Sequence, residues 1–348
     1  MSKSLLRKAL RGFQPYVPGE QPPDGEGWVK LNTNESPLPP SPEVIRAIKE
    51  AADESLRLYP SPTGAPARNA IAKRFGVEAA QVTLGNGGDE LIEMCFRAFA
   101  GPGDSVAFPT PTYPLFEPLC RIHDALASKH PTELPSELPP SLGPDPSPLK
   151  FIVNPNSPTG ALFDMPAVDA AVAASSGVVV IDEAYVDFAP QSSLELLGRH
   201  DNVLILRTFS KGYGLAGMRI GFALGSRDLI EALNSVKDSY NVDRLAIAAA
   251  AAAIEDEDHH QKLVDEVITN RTHLAGALID LGFEVVPSST NFIFTKPPKP
   301  AIEVVAALRD RKILVRHYDR EPIAGWLRIT IGTREQHDRL LQALREIL

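Results

Sequence analysis

An α/β fold with a doubly wound, mostly parallel sheet is predicted by three observations. Residues 178–181 (VVVI) and 203–206 (VLIL) are continuous apolar runs, not alternating ones. Strands buried on both faces need that pattern, because helices cover each side of the sheet. Helical stretches lie between such runs, and this alternation predicts ligands at the carboxyl ends of the strands. After about residue 240 the rhythm changes to long helices followed by short strands and two more helices, which predicts a second, smaller α+β domain.

The elements follow in order. Leu5, Leu6, Ala9, Leu10 and Phe13 share a helical stripe and predict a short packed arm. Ser41-Pro42 opens a helix through about residue 56, with serine as N-cap and proline in the first turn. Residues 81–84 read as a strand and 88–100 as a helix. Residues 105–108, 151–153, 178–182, 203–208 and 220–224 read as strands, and 167–174 as a helix. Residues 244–254 and 258–281 are the long helices. The resulting division is an arm with part of the small domain (1–40), a large domain (41–240) and a small C-terminal domain (241–348). Of the 32 prolines, eleven fall within 15–66 and ten within 131–166. Periodic segments flank both stretches, so they read as extended crossings and not as disordered linkers.

The balance of 35 basic and 44 acidic residues leaves a net charge of -9. It argues against a general nucleic-acid or anionic-membrane binder while leaving room for a local basic pocket. Only Cys95 and Cys120 are present, without zinc-ligand spacing and too few for a disulfide framework. No metal site and a reducing, cytoplasmic setting are therefore expected. The longest apolar run, 245–254, is half of the roughly 20 residues a spanning helix needs.

The chemistry begins at Gly85-Asn86-Gly87-Gly88-Asp89-Glu90, which joins a strand to a helix. Glycines let the backbone approach an anion, and a helix N-terminus offers free N–H groups. A phosphate cradle and a plain turn both fit this stretch alone. Gly212-Tyr213-Gly214-Leu215-Ala216-Gly217 matches a dinucleotide fingerprint in spelling, but residues 218–224 after it read as a strand where the fingerprint needs a helix. Strand ends deliver Asp182, followed by Tyr185, and the segment Thr208-Phe209-Ser210-Lys211. Singly these read as a cap, a salt bridge or a surface charge. Together with the phosphate cradle they make a ligand edge.

These segments carry a resemblance. SKGYGLAGMRIGF, IDEAYVDF and NPNSPTG resemble the lysine segment, pyridine-binding strand and Asn-Pro-Thr-Gly loop of fold-type I pyridoxal-phosphate-dependent aminotransferases. QPYVPG, LNTNESPLPPSPEV, RLYPSP, GNGGDELI, PTYPLF and LRITIGTRE resemble, in order and spacing, the histidinol-phosphate aminotransferase family. The resemblance spans residues 16–348.

It implies pyridoxal 5'-phosphate as cofactor, with Lys211 as the lysine that carries it and moves protons. Asp182 would face the ring nitrogen, Tyr185 would donate to the ring oxygen, and Tyr113 would stack on the ring. Gly88, Asp89, Ser210 and Arg219 would hold the phosphate. Tyr59 matches a tyrosine lent by the neighbouring subunit, so a homodimer with shared active sites is implied. Tyr16, Arg316 and Arg328 match groups that bind the substrate's anion. One position departs from the family: Ser157 stands directly before Pro-Thr-Gly where asparagine is usual, and Asn156 lies one place earlier. Asn156 is the preferred ring-oxygen donor, with Ser157 and Tyr185 alone as the other options. The implied reaction is amino transfer between L-histidinol phosphate and 2-oxoglutarate. Aromatic-amino-acid aminotransferase and threonine-phosphate decarboxylase activities of the same fold are the alternatives.

Overall fold

The computed structural model describes residues 5–7, 10–13, 15, 17–23, 26–133 and 137–348. The chain enters through β1 (Val29–Leu31) and α1 (Pro42–Ala51), then α2 (Ala65–Phe75) and β2 (Val82–Gly85). Next come α3 (Gly88–Phe99), β3 (Ser105–Thr110), α4 (Phe116–Ile122), β4 (Leu126–Pro131) and β5 (Leu149–Val153). They are followed by α5 (Met165–Ala173), β6 (Val178–Asp182), β7 (Val203–Thr208), β8 (Gly221–Gly225) and α6 (Arg227–Val236). The last part holds α7 (Arg244–Glu255), α8 (Glu257–Asp280), β9 (Glu284–Val285) and β10 (Phe292–Lys296). It closes with α9 (Ala301–Asp310), β11 (Ile313–His317), β12 (Leu327–Thr330) and α10 (Arg334–Ile347).

Seven strands form the large sheet in the order β2-β8-β7-β6-β5-β3-β4. The pairs from β7 through β4 are parallel, and β8 runs against both its neighbours. The predicted two-faced burial is visible residue by residue. Val179, Ile181, Val203 and Ile205 pack on one face with α2 and α7 residues such as Ile71 and Ala246. Val180, Leu204, Leu206 and Phe151 pack on the other, with Leu91, Phe96 and Leu233 of α3 and α6. Each such aliphatic side chain contributes about 1.5–3 kcal/mol by leaving water. The second sheet has the order β1-β11-β12-β10-β9. Its core joins Leu31, Phe292 and Ile329 to Leu263, Leu274 and Leu340 of α8 and α10.

The first helix ends earlier than expected. Ser41 caps α1 by accepting from Glu43 N, but α1 stops at Ala51. Asp53 then accepts from Ser55 N and starts a separate 3-10 turn, Glu54–Arg57. Several elements, β1, α2, α4, β4 and α6 among them, have no counterpart range in the sequence reading. The apolar residues of α2 lie among Arg68, Asn69, Lys73 and Arg74, and the helix ends at Gly76 with φ 65. The edge strand β4, with mostly exposed residues, has no apolar run to announce it. Of the predicted arm, Ala9 lies outside the described residues.

Candidate active site

The carboxyl ends of β3, β5, β6 and β7 converge with the N-terminus of α3 on a cavity of about 510 Å³. The segment after β1 (Thr33, Asn34, Glu35) closes one side, and Arg316 and Arg328 enter from β11 and β12 of the second sheet. Asp182, Tyr185, Ser210, Lys211, Gly88, Asp89, Tyr113 and Arg219 all line this cavity, as the sequence predicts.

Lys211 leaves the turn after β7, and its Nζ donates to the Asn34 carbonyl at 3.0 Å. Burial, helped by the nearby Arg328 charge, lowers its pKa from 10.5 to about 8. Such an amine is available as a neutral nucleophile close to neutral pH. Asp182 ends β6, and its Oδ1 accepts from Ala184 N at 3.0 Å. Burial raises its pKa to about 7, with Asp89 and Glu183 adding like charge and Lys211 opposing them. A cation placed against this carboxylate would relieve that penalty. Behind it, Glu183 and Arg207 form an ion pair at 2.8 Å whose side chains are 1% and 11% exposed. Sequence reading assigned this pair no role, although Glu183 adjoins Asp182.

The helix α3 starts from Gly87, which has φ 85 and no side-chain cap. Its first N–H groups are therefore free of intrahelical partners, and the dipole end is positive. A Cβ on Gly88 would meet open space. Arg219, itself at φ 48, lies 3.6 Å from Asp89 and reaches Ser210 Oγ at 3.5 Å. Tyr113 donates to Asp89 Oδ1 at 2.9 Å. The Arg219 guanidinium, the Ser210 hydroxyl and the free amides of α3 thus make an anion cradle at this end. The Asp89 carboxylate lies beside it, between Arg219 and the Tyr113 hydroxyl.

At the other end Arg328 lies 5.2 Å from the Phe292 ring centroid and donates to the Asn32 carbonyl at 3.1 Å. Its Nε is buried without a partner, a second place prepared for an anion or acceptor. Arg316 donates to the Val17 carbonyl at 3.0 Å and also lines the cavity.

One expected site residue is not brought there. Asn156 is buried and engaged by its own loop and the segment after β3: Nδ2 donates to Thr159 Oγ1 at 2.8 Å and to Pro111 O at 3.1 Å. Ser157 lines the cavity in its place, so the geometry reverses the preference for Asn156. Tyr59, expected to serve a neighbouring subunit's site and not this one, is 79% exposed and stacked on Tyr240 with ring centroids 4.5 Å apart. Tyr16 lies outside the described residues. Conversely, Asn34 stands at the centre of the site. Its only sequence signal was the asparagine in LNTNES, which readily takes the left-handed backbone of φ 56 found there.

Residues 26–344 match the family described as aminotransferase class I and II. Histidinol-phosphate aminotransferase 1 of Nostoc sp. is 45% identical over 347 residues, covering 99% of this chain and 98% of its own. The histidinol-phosphate aminotransferase of Citrifermentans bemidjiense is 42% identical over 350 residues, with 98% of each chain covered. The chain belongs to the histidinol-phosphate aminotransferase family. A family structure, that from Sinorhizobium meliloti in complex with pyridoxal-5'-phosphate, superposes with a TM-score of 0.85 at 29% identity, covering 92% of this chain and 90% of that one. The L-threonine-O-3-phosphate decarboxylase of Porphyromonas gingivalis has a TM-score of 0.80 at 22% identity, covering 91% and 98%. That likeness is one of fold alone, which the aminotransferase family shares with it.

Proposed function

We propose that this chain is a pyridoxal-phosphate-dependent transaminase that exchanges an amino group between L-histidinol phosphate and 2-oxoglutarate, in histidine biosynthesis. The observation that carries the reading is a lysine amine of lowered pKa set between two separate cationic sites in one cavity. The residues present fit the cofactor: the uncapped start of α3 with Ser210 and Arg219 suits its phosphate, and the buried Asp182 suits a protonated ring nitrogen. When bound, the cofactor supplies an aldehyde for amine exchange and a ring that takes up electrons.

The chain's own residues do the rest. Lys211 would supply the amine that holds the cofactor, and its Nζ would carry the proton moved during the exchange. Asp182 holds a positive charge at the ring nitrogen, and Tyr185 and Ser157 offer hydroxyls toward the ring oxygen. Tyr113 covers a ring face. Arg328, with Arg316 and Tyr16, binds the phosphate of one substrate and the carboxylate of the other in turn. The names of the relatives favour histidinol phosphate over an aromatic amino acid or threonine phosphate.

A homodimer with Tyr59 reaching the neighbour's cofactor phosphate belongs to the same proposal. Its support is an exposed patch of Leu56, Leu58, Tyr59 and Tyr240. So does the domain division near residue 40, supported by β1 pairing with β11; the second boundary falls after α7 and not at residue 240, because Ala246, Ala250 and Ile254 pack in the core of the large sheet. A cytoplasmic location agrees with the finding that no helix among the described residues is long and apolar enough to cross a membrane.

The test is a set of parallel half-reactions of the cofactor-loaded protein with L-histidinol phosphate, phenylalanine, tyrosine and threonine phosphate. Amino transfer should be fastest from histidinol phosphate. A preference for phenylalanine, or carbon dioxide release from threonine phosphate, would replace this reading by the corresponding alternative.

A further inference from the structure

We propose that Asn34 is a positioning residue that turns the phenol proton of Tyr185 into the cavity, an inference that rests on the reading of Tyr185 as a donor to the cofactor ring. Asn34 is 1% exposed, and each of its polar groups has a partner. Its backbone N–H donates to Thr330 Oγ1 at 3.0 Å. A hydroxyl that accepts there still has its own proton to give, and Thr330 gives it to Asn34 Oδ1 at 3.1 Å. That bond fixes which way the amide faces. Asn34 Nδ2 must then point at Tyr185, whose hydroxyl oxygen accepts at 3.0 Å.

The consequence concerns the single proton of the phenol. An amide nitrogen has only hydrogens to offer, so Tyr185 cannot donate to Asn34. Its proton is left for the cavity side, which Ser157 also lines. The charged groups facing the phenol are Arg328 of β12, Asp182 of β6 and Lys211 after β7. The Asn34 carbonyl accepts from both Lys211 Nζ and Asn291 Nδ2 at 3.0 Å, which holds the segment in place independently of its side chain. Thr330 and Asn291 belong to the second sheet and its approach, so the polarity of Tyr185 is set from the opposite lobe of the site.

The test reads the pH midpoint of the visible absorbance of the cofactor-loaded protein. Tyr185→Phe defines the reference, an upward shift of roughly one pH unit as the ring oxygen loses a donor. Asn34→Asp keeps the shape and the left-handed backbone but presents an acceptor that draws the phenol proton away. Thr330→Val removes the hydroxyl that orients the amide, without any change of charge. Both should shift the midpoint in the same direction as Tyr185→Phe, and Thr330→Ser should return it to the wild-type value. A shift in Tyr185→Phe with unchanged midpoints in Asn34→Asp and Thr330→Val would overturn the proposal. A Thr330→Ser shift as large as that of Thr330→Val would do the same, since packing and not the hydroxyl would then be responsible. An unshifted Tyr185→Phe would instead remove the role given to Tyr185, and this inference with it. Thr330→Val alone decides the matter if Asn34→Asp does not fold.

Discussion

Gly87 and Arg219 approach so closely that a Cβ built on Gly87 would lie 2.7 Å from Arg219 Nη2. Both residues have positive φ, 85 and 48. The tight turn before α3 and the strained turn after the lysine segment are thus shaped against each other, and the anion cradle is their contact.

Substituting Gly87→Ala should displace the guanidinium and add backbone strain of about 1–3 kcal/mol, because φ 85 with ψ 171 is open essentially to glycine alone. Arg219→Ala removes a charge-assisted partner, typically about 1.5–3 kcal/mol. Each variant should hold pyridoxal phosphate roughly tenfold or more weaker than wild type, with activity partly restored by excess cofactor. Equilibrium dialysis measures the loss directly. Wild-type affinity in both variants would show that the phosphate sits elsewhere.

Arg328→Ala should behave in the opposite way. It comes from β12, away from the start of α3, so the protein should stay fully loaded. Its efficiency should fall roughly 10–150-fold with both histidinol phosphate and glutamate. Steady-state kinetics with each substrate, beside the absorbance of the bound cofactor, separate this outcome from cofactor loss.

Asp182 makes a prediction about stability that needs no turnover. In the folded protein without cofactor its pKa is raised to about 7, whereas an unfolded chain releases that proton near about 4. Between those values the native state binds more protons, so this group's contribution to stability falls as pH rises. Wild type should therefore lose stability on the order of a few kcal/mol from this source between pH 5 and pH 8. Asp182→Asn should lose less over the same interval, by urea denaturation of the cofactor-free protein. The same variant, loaded, should have little transaminase activity, because a neutral amide does not stabilise a ring cation.

Lys211 should be labelled selectively. With a pKa lowered to about 8, its amine in cofactor-free protein should react with an acylating reagent at a pH where ordinary lysines, near about 10.4, remain protonated. Peptide mass spectrometry across a pH series would give the midpoint. Labelling that rises only with the surface lysines would show that burial does not lower this amine. Lys211→Ala should abolish transamination while the fold persists.

Lys211, Asp182 and the α3 cradle were legible in the sequence because each ends a run whose continuous hydrophobicity betrays a covered strand, or begins a glycine turn. The side chains that complete the site were harder to read. Asn34 acquires its importance from Thr330 and Asn291, almost the length of the chain away. The choice between Asn156 and Ser157 depended on which neighbours the loop itself would satisfy, and Pro111 and Thr159 took the asparagine. Helix α2 escaped notice because charged residues break up its apolar face. Strand β4 did so because an edge strand needs no continuous apolar run.

The pairing of β1 with β11 has a consequence for the order in which the molecule is made. Every strand of the seven-stranded sheet lies between Val82 and Gly225, so that sheet has all its strands once Gly225 has left the ribosome. Strand β1 is synthesised before any of them, yet its hydrogen-bonding partner, Ile313–His317, comes after all of them. A nascent chain therefore exposes the floor of the site, with Lys211 and Asp182, while its earliest strand still waits unpaired. The wall carrying Asn34 gains that partner strand only after Ile313–His317 has been made.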